Sequence, residues 1–375
     1  MPGDTAFLLV SFGGPEGRDD VMPFLRNVTA GRGVPDERLA KVAEHYYLFD
    51  GVSPINAQCR DLLDAIAKDF AATGVDLPVY WGNRNWEPYL ADTMAAMARD
   101  GIRRVIALAT SAYSSFSSCR QYLDDIDRAR AQVGAAAPAV IKIPPYYRHP
   151  GFIGAFAAAA AKALATLPAD VADRAELVFT AHSIPQSMAD ASGPGGAAGA
   201  AGAGGTIGAN GAVGAAGAGG AYPAQLAAAA ALVAAELGRG SWRLAYQSRS
   251  GPPLVPWLGP DINDCLTGLV ETESCPAVCI IPIGFVSDHM EVIFDLDVEA
   301  ARTADRLGLP LARAATPGTD PRFVSMITAL VRDYAAGRAG EAVLALSQAA
   351  PSFCTQGCCG HGPDRSATWL SGHHG

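Results

Sequence analysis

Two short polar segments, each following an apolar β-like run, carry the side chains best suited to chemistry: Thr180-Ala181-His182-Ser183-Ile184-Pro185 and Ser287-Asp288-His289-Met290-Glu291. Together they can bring an imidazole, a carboxylate and a second imidazole to one pocket. Asp295 and Glu299 follow Glu291 at i+4 and i+8, so in a helix the three acids would line one face. Acids stacked in this way repel one another. They are tolerated mainly where a cation visits or a proton is shared, which makes the row a candidate path for a metal ion or for protons. The alternative is a solvated helix face, and the adjoining His-x-Glu weighs against it.

The elements that must position these residues are legible as apolar runs. Ala6 to Ser11, Pro78 to Trp81, Arg104 to Ala109 and Ala139 to Ile143 read as four strands. Glu176 to Ala181, Trp242 to Gln247, Ala277 to Ile283 and Pro310 to Ala314 read as four more. Runs apolar on both faces, separated by helix-length sequence, predict parallel sheets covered on both sides. The expected fold class is therefore α/β: two similar doubly wound, Rossmann-like domains, each with a four-stranded parallel sheet. The expected division is residues 1–150, 151–317 and a last helix over about 318–336 that packs back on the first domain. Phe7 to Pro15 also resembles Leu177 to Pro185, a trace of duplication. In such sheets ligands bind beyond the carboxyl ends of the strands, where Ser11, Ser111, His182, Gln247 and His289 would sit.

Two regions fall outside this scaffold. Residues 192–221 are nearly all Gly and Ala, which bury too little to offset the entropy of ordering, and they read as a flexible insertion. The tail, 349–375, carries Cys354, Cys358, Cys359, His361, His373 and His374 and is either disordered or organised by a metal.

Composition narrows the function. The chain has 375 residues, half of them apolar, so two sizeable cores are feasible. A net charge of −9 argues against a nucleic-acid partner. The start, Met1-Pro2-Gly3-Asp4, lacks the basic region of a secretory signal, and the alanine-rich stretches around Phe156 to Leu167 and Leu226 to Leu237 read as buried helices. A cytoplasmic protein without integral membrane association is expected, with its eight cysteines as thiols or metal ligands. The glycines of Ser11-Phe12-Gly13-Gly14-Pro15-Glu16-Gly17 fit neither a dinucleotide fingerprint nor a phosphate loop. Neither a G-x-S-x-G elbow nor a His-Glu-x-x-His helix is present.

Several segments in register resemble the ferrochelatases: Leu8 to Pro15, Gly51-Val52-Ser53-Pro54-Ile55-Asn56, Thr180 to Pro185, Gln247 to Pro253, Pro256 to Pro260 and Pro282 to Glu291. The resemblance runs from about residue 6 to 335 and implies two α/β domains with a porphyrin cleft between them. It implies that His182 and Glu291 are the catalytic and metal-site pair, holding Fe²⁺ or receiving the pyrrole protons, with Asp295 and Glu299 as the acidic row. A site with one imidazole and one carboxylate holds ferrous iron loosely enough to surrender it to four pyrrole nitrogens. Ser53, Tyr122, Tyr46 and Arg32 match porphyrin-binding positions. Where many bacterial relatives have an iron-ligating tyrosine, this chain has Phe12.

The expected activity is insertion of Fe²⁺, a substrate, into coproporphyrin III in haem biosynthesis, by a lyase whose partners are the porphyrin and other enzymes of that pathway. A polar lip, Gly14 to Asp20, suits a four-carboxylate substrate better than a bilayer. The alternatives are a cobalt or nickel chelatase of a sirohydrochlorin-type ring, and a non-catalytic haem-binding carrier. Cys354, Cys358 and Cys359 resemble the tail ligands of a [2Fe–2S] cluster in some bacterial ferrochelatases. The region where those relatives supply a fourth cysteine reads Asp190-Ala191-Ser192-Gly193-Pro194, and His361 is a candidate for a Cys₃His zinc site instead.

Overall fold

A strand apolar on both faces must be covered on both, and β1 (Thr5–Ser11) is buried at every position. The computed structural model describes residues 3–193, 220–250, 254–337 and 358–359. In the first half β1 is flanked by β2 (Val79–Asn83) and β3 (Arg104–Ala109), with β4 (Ala139–Lys142) outside β3, in the order β2-β1-β3-β4. The second half repeats it: β5 (Glu176–His182) lies between β6 (Arg243–Gln247) and β7 (Val278–Ile281), with β8 (Leu311–Arg313) beyond, in the order β6-β5-β7-β8. All pairings are parallel. The eight expected runs all form strands, and the shared order strengthens the case for duplication.

Helices cover both sheets. In the first half they are α1 (Arg18–Val28), α2 (Asp36–Tyr47), α3 (Ile55–Thr73), α4 (Leu90–Arg99) and α5 (Gln121–Val133). Then come α6 (Pro150–Leu164), α7 (Ala169–Ala172), α8 (Gln186–Asp190), α9 (Ala221–Glu236) and α10 (Ile262–Glu273). The chain ends its described helices with α11 (Met290–Phe294), α12 (Ala301–Leu307) and α13 (Pro321–Ala335). Between α11 and α12, Asp295–Ala300 is π-helical.

Several sets of contacts join the halves. α13 crosses back to lie against α3 and α6, where Thr328 Oγ1 donates to Asp69 and Arg332 to the Thr73 carbonyl. Met290 and Phe294 of α11 share a buried cluster with Phe24, Leu25, Leu39 and Tyr46 from α1 and α2. Tyr113 Oη donates to the Ile283 carbonyl at 2.8 Å. Burial of such clusters contributes about 1.5–3 kcal/mol per large apolar side chain, so the contact between halves is part of the core.

Two glycines let loops close on the strand ends. A Cβ on Gly14 would lie 2.7 Å from that of Ser53, and one on Gly284 would lie 2.6 Å from that of Ala181. The second approach seats the loop after β7 directly beside the end of β5.

The two ends of the expected insertion lie among the described residues and meet. Ser192 is buried, its carbonyl accepts from Ala221 N at 3.1 Å and its hydroxyl accepts from Tyr222 N at 2.8 Å. A side-chain acceptor offered to the first turn of α9 satisfies donors a helix start leaves open. Ser192 and Ala221 thus form a stem, while residues 194–219 lie outside those described.

Candidate active site

His182 ends β5 and stands opposite Gln247 at the end of β6. Its main chain is tied down: Ser183 N donates to Gln247 O at 2.8 Å, and Tyr222 Oη donates to His182 O at 3.0 Å. The Nδ1 atom faces the Ser183 carbonyl at close range, an acceptor only, so Nδ1 carries the hydrogen. In the neutral ring the lone pair therefore sits on Nε2, which points at Glu291.

The loop after β7 delivers the carboxylate. His289 precedes α11 and its Nδ1 accepts from Glu291 N at 3.2 Å, fixing the first turn. Gln247 Nε2 donates to the Glu291 carbonyl at 2.8 Å. The Glu291 Oε2 atom then lies 3.5 Å from His182 Nε2 and 3.8 Å from His289 Nδ1. Both His182 and Glu291 keep substantial exposure, 33% and 47% of their side chains, so a substrate can reach them.

Electrostatics grade the groups. Burial raises the Glu291 carboxyl, but the His182 charge and hydrogen bond and the His289 ring outweigh it and bring its pKa down to about 2. Burial works against a charged His182, yet Glu291, the Ser183 carbonyl and Asp295 together lift it above its ordinary value. His289 is held low by burial. Asp295 is pushed up to about 7, by burial first and then by Glu291 and Glu299, against the Ser248 hydroxyl that donates to it. The acids thus remain mutually coupled, though not on the plain α-helical face expected of them: α11 ends at Phe294 and the π-helical turn begins at Asp295. Such turns recur at functional sites.

The four expected porphyrin contacts all lie in the first half. Ser53 is buried under Gly14, with its N–H on the Pro15 carbonyl at 2.9 Å. Tyr46 is buried beside Met290 and Phe294, its phenol raised far above the ordinary range by burial and by Glu291 and Asp295. It therefore packs against α11, the helix that carries Glu291. Tyr122 is buried on α5 beneath the Arg84 guanidinium, 4.5 Å from the ring centre. Arg32 lies in the exposed loop after α1, where desolvation and the nearby Arg84 charge lower its pKa. Phe12 packs edge-on against Phe24, and its ring centre lies 5.7 Å from the same Arg84.

Sequence reasoning passed over Arg84, Tyr222 and Ser248. Arg84 is a buried cation paired with Asp125, but an arginine between two asparagines after a strand carries no signal of that. Tyr222 and Ser248 reach the site only through chain crossings.

In the tail, Cys354 lies outside the described residues. Cys358 and Cys359 are buried with their Sγ atoms 3.8 Å apart. Cys359 docks on Gly193, donating N–H to its carbonyl at 3.3 Å and receiving the Gly193 N–H on sulfur at 3.4 Å. The resemblance places a fourth cysteine in this region. Ser192 stands there with its hydroxyl already bonded to Ala189 O and Tyr222 N. Among the described residues no group of three or more His, Cys, Asp or Glu is placed to hold a metal. His361, like Cys354, lies outside those residues.

Two doubly wound halves thus carry an imidazole–carboxylate pair and a graded row of acids at the carboxyl ends of the strands. Among solved structures, SirB from Bacillus subtilis with Fe³⁺ has this fold, with a TM-score of 0.52, 12% identity and 90% of this chain covered against 98% of that one. The ferrochelatase family model matches residues 4–335, and the chain belongs to the ferrochelatase family, lyases that insert a metal into a porphyrin. It is 51% identical over 362 residues to the coproporphyrin III ferrochelatase of Streptomyces griseus, covering 94% of this chain and 92% of that one. It is 47% identical over 367 residues to the ferrochelatase of Rhodopirellula baltica, covering 97% and 96%. Among the described residues no helix is long and apolar enough to cross a membrane.

Proposed function

We propose that this protein inserts Fe²⁺ into coproporphyrin III in haem biosynthesis, with His182 and Glu291 as its chelating and proton-accepting pair. The observation that carries this is the 3.5 Å approach of His182 Nε2 to Glu291 Oε2 beside an aspartate raised to about 7. Metal insertion exchanges one Fe²⁺ for two pyrrole protons, so the site must both hold a cation briefly and take protons away. His182, its Nδ1 anchored on a carbonyl, offers Nε2 as the acceptor. Glu291 stays ionised and stabilises the resulting imidazolium. Asp295, titrating close to neutrality, relays protons toward Glu299. The choice of coproporphyrin III rests on the similarity to the Streptomyces griseus protein and on the polar Gly14 to Asp20 loop. Ser53, Tyr46, Tyr122 and Arg32 are assigned to porphyrin binding, and a guanidinium or phenol is suited to a propionate.

The test is anaerobic incubation with Fe²⁺ and, separately, coproporphyrin III, protoporphyrin IX and a sirohydrochlorin-type ring, following the Soret change. Turnover is expected to be fastest with coproporphyrin III. The His182→Ala variant should still bind this porphyrin but insert no metal. Comparable turnover by His182→Ala overturns the site assignment, and preference for a sirohydrochlorin-type ring or mere binding overturns the function.

A further inference from the structure

One guanidinium holds both ends of the segment that carries the acids. Arg313 ends β8 with 17% of its side chain exposed. Its Nη1 lies 3.3 Å from Asp288 Oδ1, just before α11. Its Nε and Nη2 pair with the two oxygens of Asp297 at 2.5 and 2.8 Å, inside the π-helical turn. Asp288 has a second anchor in the first half. Its N–H donates to Gln58 Oε1 at 2.8 Å, and Gln58 Nε2 donates to Asp288 Oδ2 at 3.4 Å. Gln58 belongs to α3.

Side chains two residues apart on a helix point to roughly opposite sides. With Asp297 turned toward β8, Asp295 is left facing the other way, where Ser248 meets it. Glu291 lies between the two feet of the arch. A two-pronged guanidinium–carboxylate pair sets orientation as well as distance, which a lysine could not reproduce. We propose that Arg313 is a positioning residue for metal insertion: it fixes the arch from Asp288 to Asp297 at both feet so that Glu291 and Asp295 face His182. Through Gln58 the same arch is registered against the first half of the molecule. This rests on the reading of His182 and Glu291 as the chelation pair.

A displacement of about 1 Å in a reacting group can cost on the order of a hundredfold in rate. The experiment measures Fe²⁺ and porphyrin kinetics separately, with porphyrin affinity taken by fluorescence quenching. Arg313→Gln is expected to lower kcat/KM for Fe²⁺ by on the order of ten- to a hundredfold while porphyrin affinity is unchanged. Asp297→Asn should shift the same parameter less, and Arg313→Gln with Asp297→Asn should be no worse than Arg313→Gln alone, since Arg313→Gln already breaks the Asp297 link along with the one to Asp288. Unchanged iron kinetics in folded Arg313→Gln, or equal losses toward iron and porphyrin, overturn the proposal. Should Arg313→Gln not fold, unchanged iron kinetics in Asp297→Asn overturns it. His182→Ala is run alongside: if it retains turnover the chelation pair itself is wrong, whereas an inactive His182→Ala with an unaffected Arg313→Gln removes only the role of Arg313.

Discussion

Glu291 and Asp295 are four residues apart and titrate at opposite ends of the carboxylate range, about 2 and about 7. The difference comes from what each faces: Glu291 has two imidazoles, Asp295 has burial and two like charges. Different pKa values in adjacent acids suit different tasks, a fixed anion and a proton carrier. Glu291→Gln should therefore lower turnover by on the order of a hundredfold or more. Asp295→Asn and Glu299→Gln should cost progressively less, and a Glu299→Gln worse than either overturns the order of the relay. The raised Asp295 also fixes a sign for stability. Folded Asp295 holds its proton more tightly than the unfolded chain, so its contribution is present below about pH 3.8 and is lost as pH rises through about 7. Asp295→Asn, which cannot ionise, should match the parent in melting temperature near pH 4 and exceed it at pH 8. Equal differences at both pH values would show that Asp295 titrates normally. The Glu291 contribution runs the other way, present above pH 4.5 and lost as pH falls toward 2, and it is common to the parent and Asp295→Asn.

At the scale of elements, the site is built from strand ends and the turns that follow them. β5 supplies His182, β6 supplies Gln247 beneath Glu291, and the turn after β7 supplies His289 and Glu291. The start of α9 supports them from behind through Tyr222 and the His182 carbonyl. That helix start is closed on α8 by Ser192, so the chain enters and leaves residues 194–219 at one point. A Cβ on Gly193 would lie 2.5 Å from that of Ala221, a measure of how near the ends are. Replacing residues 195–219 by a short linker should leave melting temperature and activity nearly intact, because loop-closure entropy grows only logarithmically with length. Calorimetry and the Fe²⁺ assay check it. Tyr222→Phe leaves the backbone bonds of the stem intact but removes the hydroxyl that donates to the His182 carbonyl, and it should cost activity where the deletion does not.

Across the whole molecule, contacts remote in sequence decide how the parts meet. Cys359 reaches Gly193 over 166 residues, bringing the tail to the stem beside α8. Two candidate ligands, Cys358 and Cys359, meet there, while Cys354 and His361 lie outside the described residues. Anaerobically purified protein decides the tail's chemistry: about two irons and two acid-labile sulfides per chain, with visible absorption beyond the porphyrin bands, mark a [2Fe–2S] cluster, whereas about one zinc in a colourless protein marks a Cys₃His site.

The sequence by itself determined the eight strands, since a strand covered on both faces must be apolar on both faces and leaves a run that can be read without a partner. It also singled out His182 and Glu291, because each stands in a short segment directly after such a run and matches a family motif, and the structure brings their side chains within 3.5 Å. It did not show the Ser192 stem, since Gly and Ala have no period from which that contact could be inferred. Only the tertiary structure decided the rest. The π-helical turn at Asp295 is a shift in backbone hydrogen bonding that leaves the spacing of the acids unchanged, and the spacing is all a sequence shows. Tyr46 against α11, Arg84 between Phe12 and Tyr122, Tyr222 on the His182 carbonyl and Arg313 across Asp288 and Asp297 depend on how crossovers bring strand ends together. Gln58 and Asp288 meet across 230 residues, a distance at which local pattern carries no information about contact.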